Sequence, residues 1–324
     1  MRGGQNNRAT NTASTVGGGY LNFASGLRSV IAGGNSNNAS SNYATVGGGQ
    51  GNDATGDHST VSGGDNNTAS GYTATIGGGR DNTASNQYST VPGGRDNNIT
   101  SDYSTISGGQ NNTAETGSHA TVGGGQNNTV SGVRATVGGG YNNTATSGYS
   151  TVSGGRDNTA ETNSYATVSG GQENTASGNQ STVSGGYNNT ASGSRSNIGG
   201  GGDNTASGYN STIAGGLNNT GSGDYSTISG GEDNTATNTH TTVGGGDRND
   251  ATGLSSTIGG GVNNQVDGQR GVIAGGQSNT IDSNSDYSTV AGGQGNQTQS
   301  SFGFVGGGKS NTIFEGDYLS LIHI

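Results

Sequence analysis

The sequence predicts an all-β fold: a parallel β-solenoid (β-roll) of about 20 coils, with about 15 residues per coil. Three observations predict it. A Val or Ile recurs from Val16 to Val305 in 20 copies, and 16 of the 19 intervals equal that from Val46 to Val61. A period this short fits a coil in which each repeat is one turn stacked on the last. Counting that Val/Ile as position 0, every copy carries Gly-Gly at +2 and +3 and Asn at +6. Around these fixed positions small, apolar and polar residues alternate with the period of a strand.

Composition alone points elsewhere. Only 24% of the 324 residues are apolar, 70 are Gly and none is Trp, a profile shared with low-complexity chains. The columns decide the matter, because a disordered chain gains nothing from holding one residue type at one phase. The repeats are read as one solenoid domain over residues 1–314. Residues 315–324 leave the pattern and are read as a non-repeat tail, a fragment end or artefact.

Each coil is read in order. Its first strand runs through Ser/Ala at −2, Thr at −1 and Val/Ile at 0, with −2 and 0 facing in and Thr facing out. Gly-Gly then makes a corner, since Gly reaches backbone angles that other residues adopt only at a cost. The second strand carries Asn at +6, commonly Thr at +7, and Ala at +8 in 13 copies. Positions +6 and +8 face in. Gly near +10 marks a second corner, as at Gly71, Gly132 and Gly193. The longer repeats add residues there, in Ala114-Glu115-Thr116-Gly117 and Ala160-Glu161-Thr162-Asn163.

An inward Asn must be hydrogen-bonded, since a buried unpaired amide costs roughly 1–3 kcal/mol. Stacked asparagines can satisfy one another and the backbone, which predicts a structural ladder through Asn67, Asn82, Asn112, Asn143, Asn189 and Asn204. The core is thin. Ordering the backbone costs roughly 1–2 kcal/mol per residue, against little apolar burial in each coil. This predicts lateral association with copies of the same chain.

Net charge is −10, with only 11 Lys+Arg, and no basic stripe is present. That argues against nucleic acid and against an anionic membrane surface. There is no Cys, and no apolar run approaches the ~20 residues of a membrane helix. The start, Met1-Arg2-Gly3-Gly4, has no signal-peptide h-region.

The two-part coil, as in Ser181-Thr182-Val183-Ser184-Gly185 followed by Asn189-Thr190-Ala191-Ser192-Gly193, resembles the head repeats of trimeric autotransporter adhesins. Those are YadA-like left-handed parallel β-rolls with a slightly shorter repeat. The resemblance covers about residues 12–314. It departs in its longer period, in Thr-Val for Val-Ala-Ile, and in Asn for Ser before the Ala. It implies a left-handed roll and a homotrimer. It further implies an extracellular, cell-surface fibre whose extended rod attaches to host glycans or matrix proteins. Similar rolls occur in phage tail fibres, which leaves a phage or virus fibre shaft as the first alternative.

The residues offer little for catalysis, and no cofactor is expected. His58, His119 and His240 share the −3 column, too far apart along the stack to share a metal. Acidic residues such as Asp65, Asp96 and Asp203 are too irregular for a calcium ladder, and the Gly runs lack the Lys-Ser/Thr of a phosphate loop. The −3 column is the candidate contact stripe: Tyr88, Tyr103, His119, Arg134, Tyr149, Tyr165, Arg195 and Tyr225. Stacking of Tyr88 on Tyr103 and of Tyr149 on Tyr165 is predicted. The stripe reads as a ligand surface, as stacking between coils, or as a seam between chains. The Thr columns at −1 and +7 raise ice binding as a second alternative, although strand propensity explains Thr there equally well. Asn-x-Thr sequons at Asn66, Asn111, Asn142 and Asn188 follow from the repeat consensus.

Overall fold

The computed structural model describes residues 4–314 and 320–321. They fall into two compact units, Met1–Ala160 and Glu161–Ile324. Each unit is a parallel β-solenoid, and no helix occurs among the described residues. Successive coils are related as Asn67 is to Asn82, one repeat on in the chain.

The coil at Val61 shows the pattern in the first unit. Thr60–Val61 and Thr68–Ala69 are its two strands. They pair in parallel with the same positions one coil on, Thr60 with Thr75 and Thr68 with Thr83. In the second unit Val183 pairs with Ile198 and Thr190 with Thr205. Val61, Ala69, Ser59 and Asn67 are fully buried, and the intervening Thr60 and Thr68 are half-covered.

A third parallel rung, absent from the two-strand expectation, sits at +4. Asp65 bridges Arg80 in the first unit, and Tyr187 bridges Gly202 in the second. The reason it left no sequence signal is physical. The rung is made by the backbone alone, and residues as different as Gln50, Arg80 and Leu217 occupy it.

The corners also differ in part. Gly64 at +3 has φ 96°, and a Cβ there would lie 2.2 Å from the Gly79 carbonyl oxygen, so that corner requires Gly. Gly71, Gly132 and Gly193 at +10 do not have positive φ. A Cβ on Gly71 would lie 2.0 Å from the Asn86 carbonyl oxygen, so Gly there permits close approach of coils instead. The turn itself is made at −3 and +5. Residues at −3 have φ between 53° at Asn210 and 64° at Tyr165, and those at +5 between 52° at Asn188 and 64° at Gly295. This left-handed conformation reverses the N–H. The His58 N–H donates back to the Asn42 carbonyl and the Asn66 N–H to the Gln50 carbonyl, whereas the Thr68 N–H donates forward to Asn82. Each coil is thus bonded in both directions at its corners.

The longer repeat at 114–117 leaves the ladders undisturbed. Thr105 pairs with Thr121 and Thr113 with Thr129, while the Gly117 N–H closes a tight turn onto the Glu115 carbonyl at 2.6 Å. Near the end, Ser320–Leu321 pairs with Phe304–Val305, setting Leu321 in register with a position-0 Val. The rest of the tail at 315–324, and His323 with it, lies outside the described residues.

Candidate functional site

The Asn column is built into the Gly-Gly corner. The Asn82 side-chain amide donates to the Gly78 carbonyl of its own coil at 3.1 Å and to the Gly94 carbonyl of the next at 2.9 Å. Its Oδ1 accepts the Asn97 backbone N–H at 3.1 Å. Asn67, Asn112, Asn143, Asn189 and Asn204 make the same two donations to Gly carbonyls. Each amide therefore joins neighbouring coils, and the ladder runs mainly from side chain to backbone.

The −3 residues stand on left-handed corners with their side chains outside. Tyr88 stacks on Tyr103 at 4.9 Å between centroids and 14° between planes, and Tyr103 on His119 at 5.0 Å and 6°. His58 lies on Tyr43 at 4.7 Å. The Arg134 guanidinium lies 5.6 Å over the Tyr149 ring and donates to its hydroxyl at 3.0 Å. In the second unit Arg195 covers Tyr209, which meets Tyr225 edge-on, and Tyr225 stacks on His240 at 4.9 Å. Tyr149 belongs to the first unit and the exposed Tyr165 to the second.

Two tyrosines that the column reading missed complete these runs. Where −3 is small, at Thr73 and Asn210, Tyr72 and Tyr209 stand one residue earlier and fill the gap. The signal was available as a Tyr immediately before a small −3 residue. Stacking has a chemical consequence. Where the rings lie parallel, as at Tyr88, Tyr103 and His119, neighbouring coils occupy their faces, and there the stripe offers solvent its edges and hydroxyls.

The second strand presents two hydroxyl ranks. In five successive coils of the second unit Thr175, Thr190, Thr205, Thr220 and Thr235 stand at +7, with Ser177, Ser192, Ser207, Ser222 and Thr237 at +9. The rank at +9 was missed because Ser and Thr share it with charged residues elsewhere.

The +7 rank then breaks at Asp250 and Gln265. There a cavity of about 480 Å³ opens, lined by residues including Asp233, Arg248, Asp250, Asn263, Gln265 and Thr280. The Asp250 Oδ1 is buried without a hydrogen-bond partner. Burial, and secondarily the charge of Asp267, push its carboxyl above the ordinary carboxylate range. Among the described residues no group of three or more His, Cys, Asp or Glu could hold a metal ion, and no helix is long and apolar enough to cross a membrane.

Invariant core and corner columns with a variable outer column define a repeat scaffold of the β-solenoid class. Within that class, residues 59–71 and 181–193 each match the model of the Ubiquitous surface protein adhesin repeat. The two stretches lie one in each unit. The matched repeats and their parallel solenoid are consistent with the repeats of trimeric autotransporter adhesins. No curated protein matches the chain.

Proposed function

We propose that this chain is the structural and adhesive repeat region of a cell-surface fibre and that it is not an enzyme. The observation that carries the reading is the adhesin-repeat match at 59–71 and 181–193. Both windows begin at the buried −2 Ser and end at the close-approach Gly at +10, so the match rests on the positions that build a coil. The partners proposed are host glycans or matrix proteins, together with two further copies of the chain in a homotrimer. The thin core supports association, because side-by-side packing adds buried surface that one coil lacks.

Adhesion is tested by coating particles with the purified chain and measuring retention on immobilised glycans and matrix proteins. Retention is expected, and failure on every surface would overturn the adhesive reading. Sedimentation equilibrium should return three chains, whereas a stable monomer would end the trimer proposal. The double hydroxyl rank from Thr175 to Thr237 favours ice binding as a second reading. Thermal hysteresis in the purified chain decides it.

A further inference from the structure

The first strand of each coil turns an outer face to solvent. Thr60 at −1 is half-covered and Ser62 at +1 exposed, as are Thr45 with Gly47 and Thr75 with Gly77. Across the 20 copies −1 is Thr in 16 and otherwise Val30, Asn197, Val272 or Phe304, while +1 is only Gly, Ser, Ala or Pro92. No charged residue stands at either position. The other outer columns do carry charge: Asp53 and Asp250 at +7, Glu115 and Asp267 at +9, Arg80 and Asp81 at +4 and +5, Arg28 and Arg134 at −3. The +7 strand shares the Thr preference and the half-covered setting, so being an exposed strand does not by itself exclude charge.

Position +2, at the edge of this face, is a separate sign. It is Gly in every copy. In some coils the backbone favours Gly, as at Gly124 and Gly245 with φ 148° and 141°. Gly33, Gly63, Gly78 and Gly93 lie outside the left-handed region, and a Cβ built on any of them meets nothing within 4 Å. A single chain has room for a side chain at these four positions. Glycine kept where its own chain does not need it fits a site that another backbone approaches closely.

Charge, period and area select the occupant. At a net charge of −10, copies of the chain repel one another except where they meet through uncharged surface. A charged ligand finds no counter-charge on this face. Its features recur once per rung, ~4.8 Å apart, and a second copy presents the same interval, so each coil can meet an equivalent coil. From −1 to +2 the strand rise spans about 10 Å, which over 20 coils offers roughly 1,000 Å², against about 800 Å² per partner in a standard interface. We infer that the face from −1 to +2 is the seam on which copies of this chain pack side by side, with Gly at +2 admitting the neighbour's backbone. The inference rests on the homotrimer reading above and names the surface that makes it. It leaves the −3 column and the +7 strand outside the seam.

The test is sedimentation of the full chain, with strand content followed by circular dichroism. Thr121→Lys, Thr136→Lys and Thr151→Lys together place like charges on the face. Thr129→Lys, Thr144→Lys and Thr159→Lys place the same charges on the other strand of the same coils. The first set should weaken association by roughly tenfold or more, and the second should leave it unaltered. Gly63→Ala, Gly78→Ala and Gly93→Ala together add methyls that a single chain accommodates, so they should weaken association while the spectrum stays that of the parent. This set decides the matter if the charged chain fails to fold. Association indifferent to both face sets, or equally sensitive to the +7 set, would overturn the seam and leave a trimer standing. A parent that dimerises and comes apart on the face changes would keep the seam and end the trimer. A monomeric parent overturns both, and particle retention lost in its face variants would hand the surface to the adhesive ligand.

Discussion

Asn143 uses both ends of its amide, donating to the Gly139 and Gly155 carbonyls at 2.9 Å each and accepting the Asn158 N–H at 3.0 Å. Asn143→Leu leaves these groups buried and unpaired, at roughly 1–3 kcal/mol for each one that finds no water. The expected result is a local opening, read as faster amide exchange at Asn158; unchanged exchange would count against the ladder. The −2 column is mixed. Ser29, Ser89 and Ser150 donate to the Gly26, Asn86 and Ser147 carbonyls, whereas Ser211 and Ser226 are buried with hydroxyls that bond to nothing. Ser211→Ala should leave the melting temperature unchanged or slightly raised. Asp250 adds a pH dependence. Its carboxyl is held above its ordinary 3.8 in the folded chain, so the folded state binds the proton more tightly than the unfolded one. Charging it therefore lowers stability as pH rises from 3.8 through the raised value. Asp250→Asn should raise the melting temperature at neutral pH, and the gain should disappear below about pH 3.8. A gain constant with pH would remove this account. At this scale invariance was a good guide, because the ladder depends on its Asn amide while the −2 hydroxyl bonds in some coils, as at Ser29, and not in others, as at Ser211; the Asp250 orphan was hidden among scattered acids.

The coil's corners show what a sequence can and cannot announce. Position +5 carries mainly Asn, Asp and Gly, the residues that tolerate the left-handed region, and its conformation was there to be read. Position −3 adopts the same angles with Tyr, Arg and His, for which the penalty is roughly 1–2 kcal/mol. A stacked aromatic pair returns ~0.5–1.5 kcal/mol and an exposed cation–π contact ~0.5–1 kcal/mol. The sums are level when a ring is covered above and below, as Tyr103 is by Tyr88 and His119. Alternation from −2 reached the right exposure for this column but assumed a strand in place of a turn. The third rung at +4 was unreadable, since backbone pairing places no demand on side chains. The Gly-Gly pair divides its work. Nothing lies within 4 Å of a Cβ built on Gly63, while one on Gly64 meets the next coil's backbone. Gly64→Ala should therefore lower the melting temperature much more than Gly63→Ala, and equal effects would mean that the corner relaxes.

For the molecule as a whole, the two units set the expectations. Within each, coils touch their neighbours through rungs of identical type, so stability is approximately a sum of coil and interface terms. A fragment comprising residues 1–160 should fold alone, with a strand-rich circular dichroism spectrum and its own melting transition. A fragment that stays unfolded would make the first unit dependent on the rest of the chain. The repeat predicted the solenoid because periodicity is a property of the entire chain. It could not reveal the cavity at Asp250 and Gln265, where the +7 column departs from its consensus.

The in-register rung also bears on inheritance. Excising residues 76–90 would join Thr75 to Val91 and recreate a Thr-Val strand, with Val61 beneath it as before. A slip of one repeat during replication therefore changes the number of coils without presenting any surviving coil with an unfamiliar neighbour. The number of coils becomes a trait that lineages can adjust one turn at a time, while the fold stays out of selection's way.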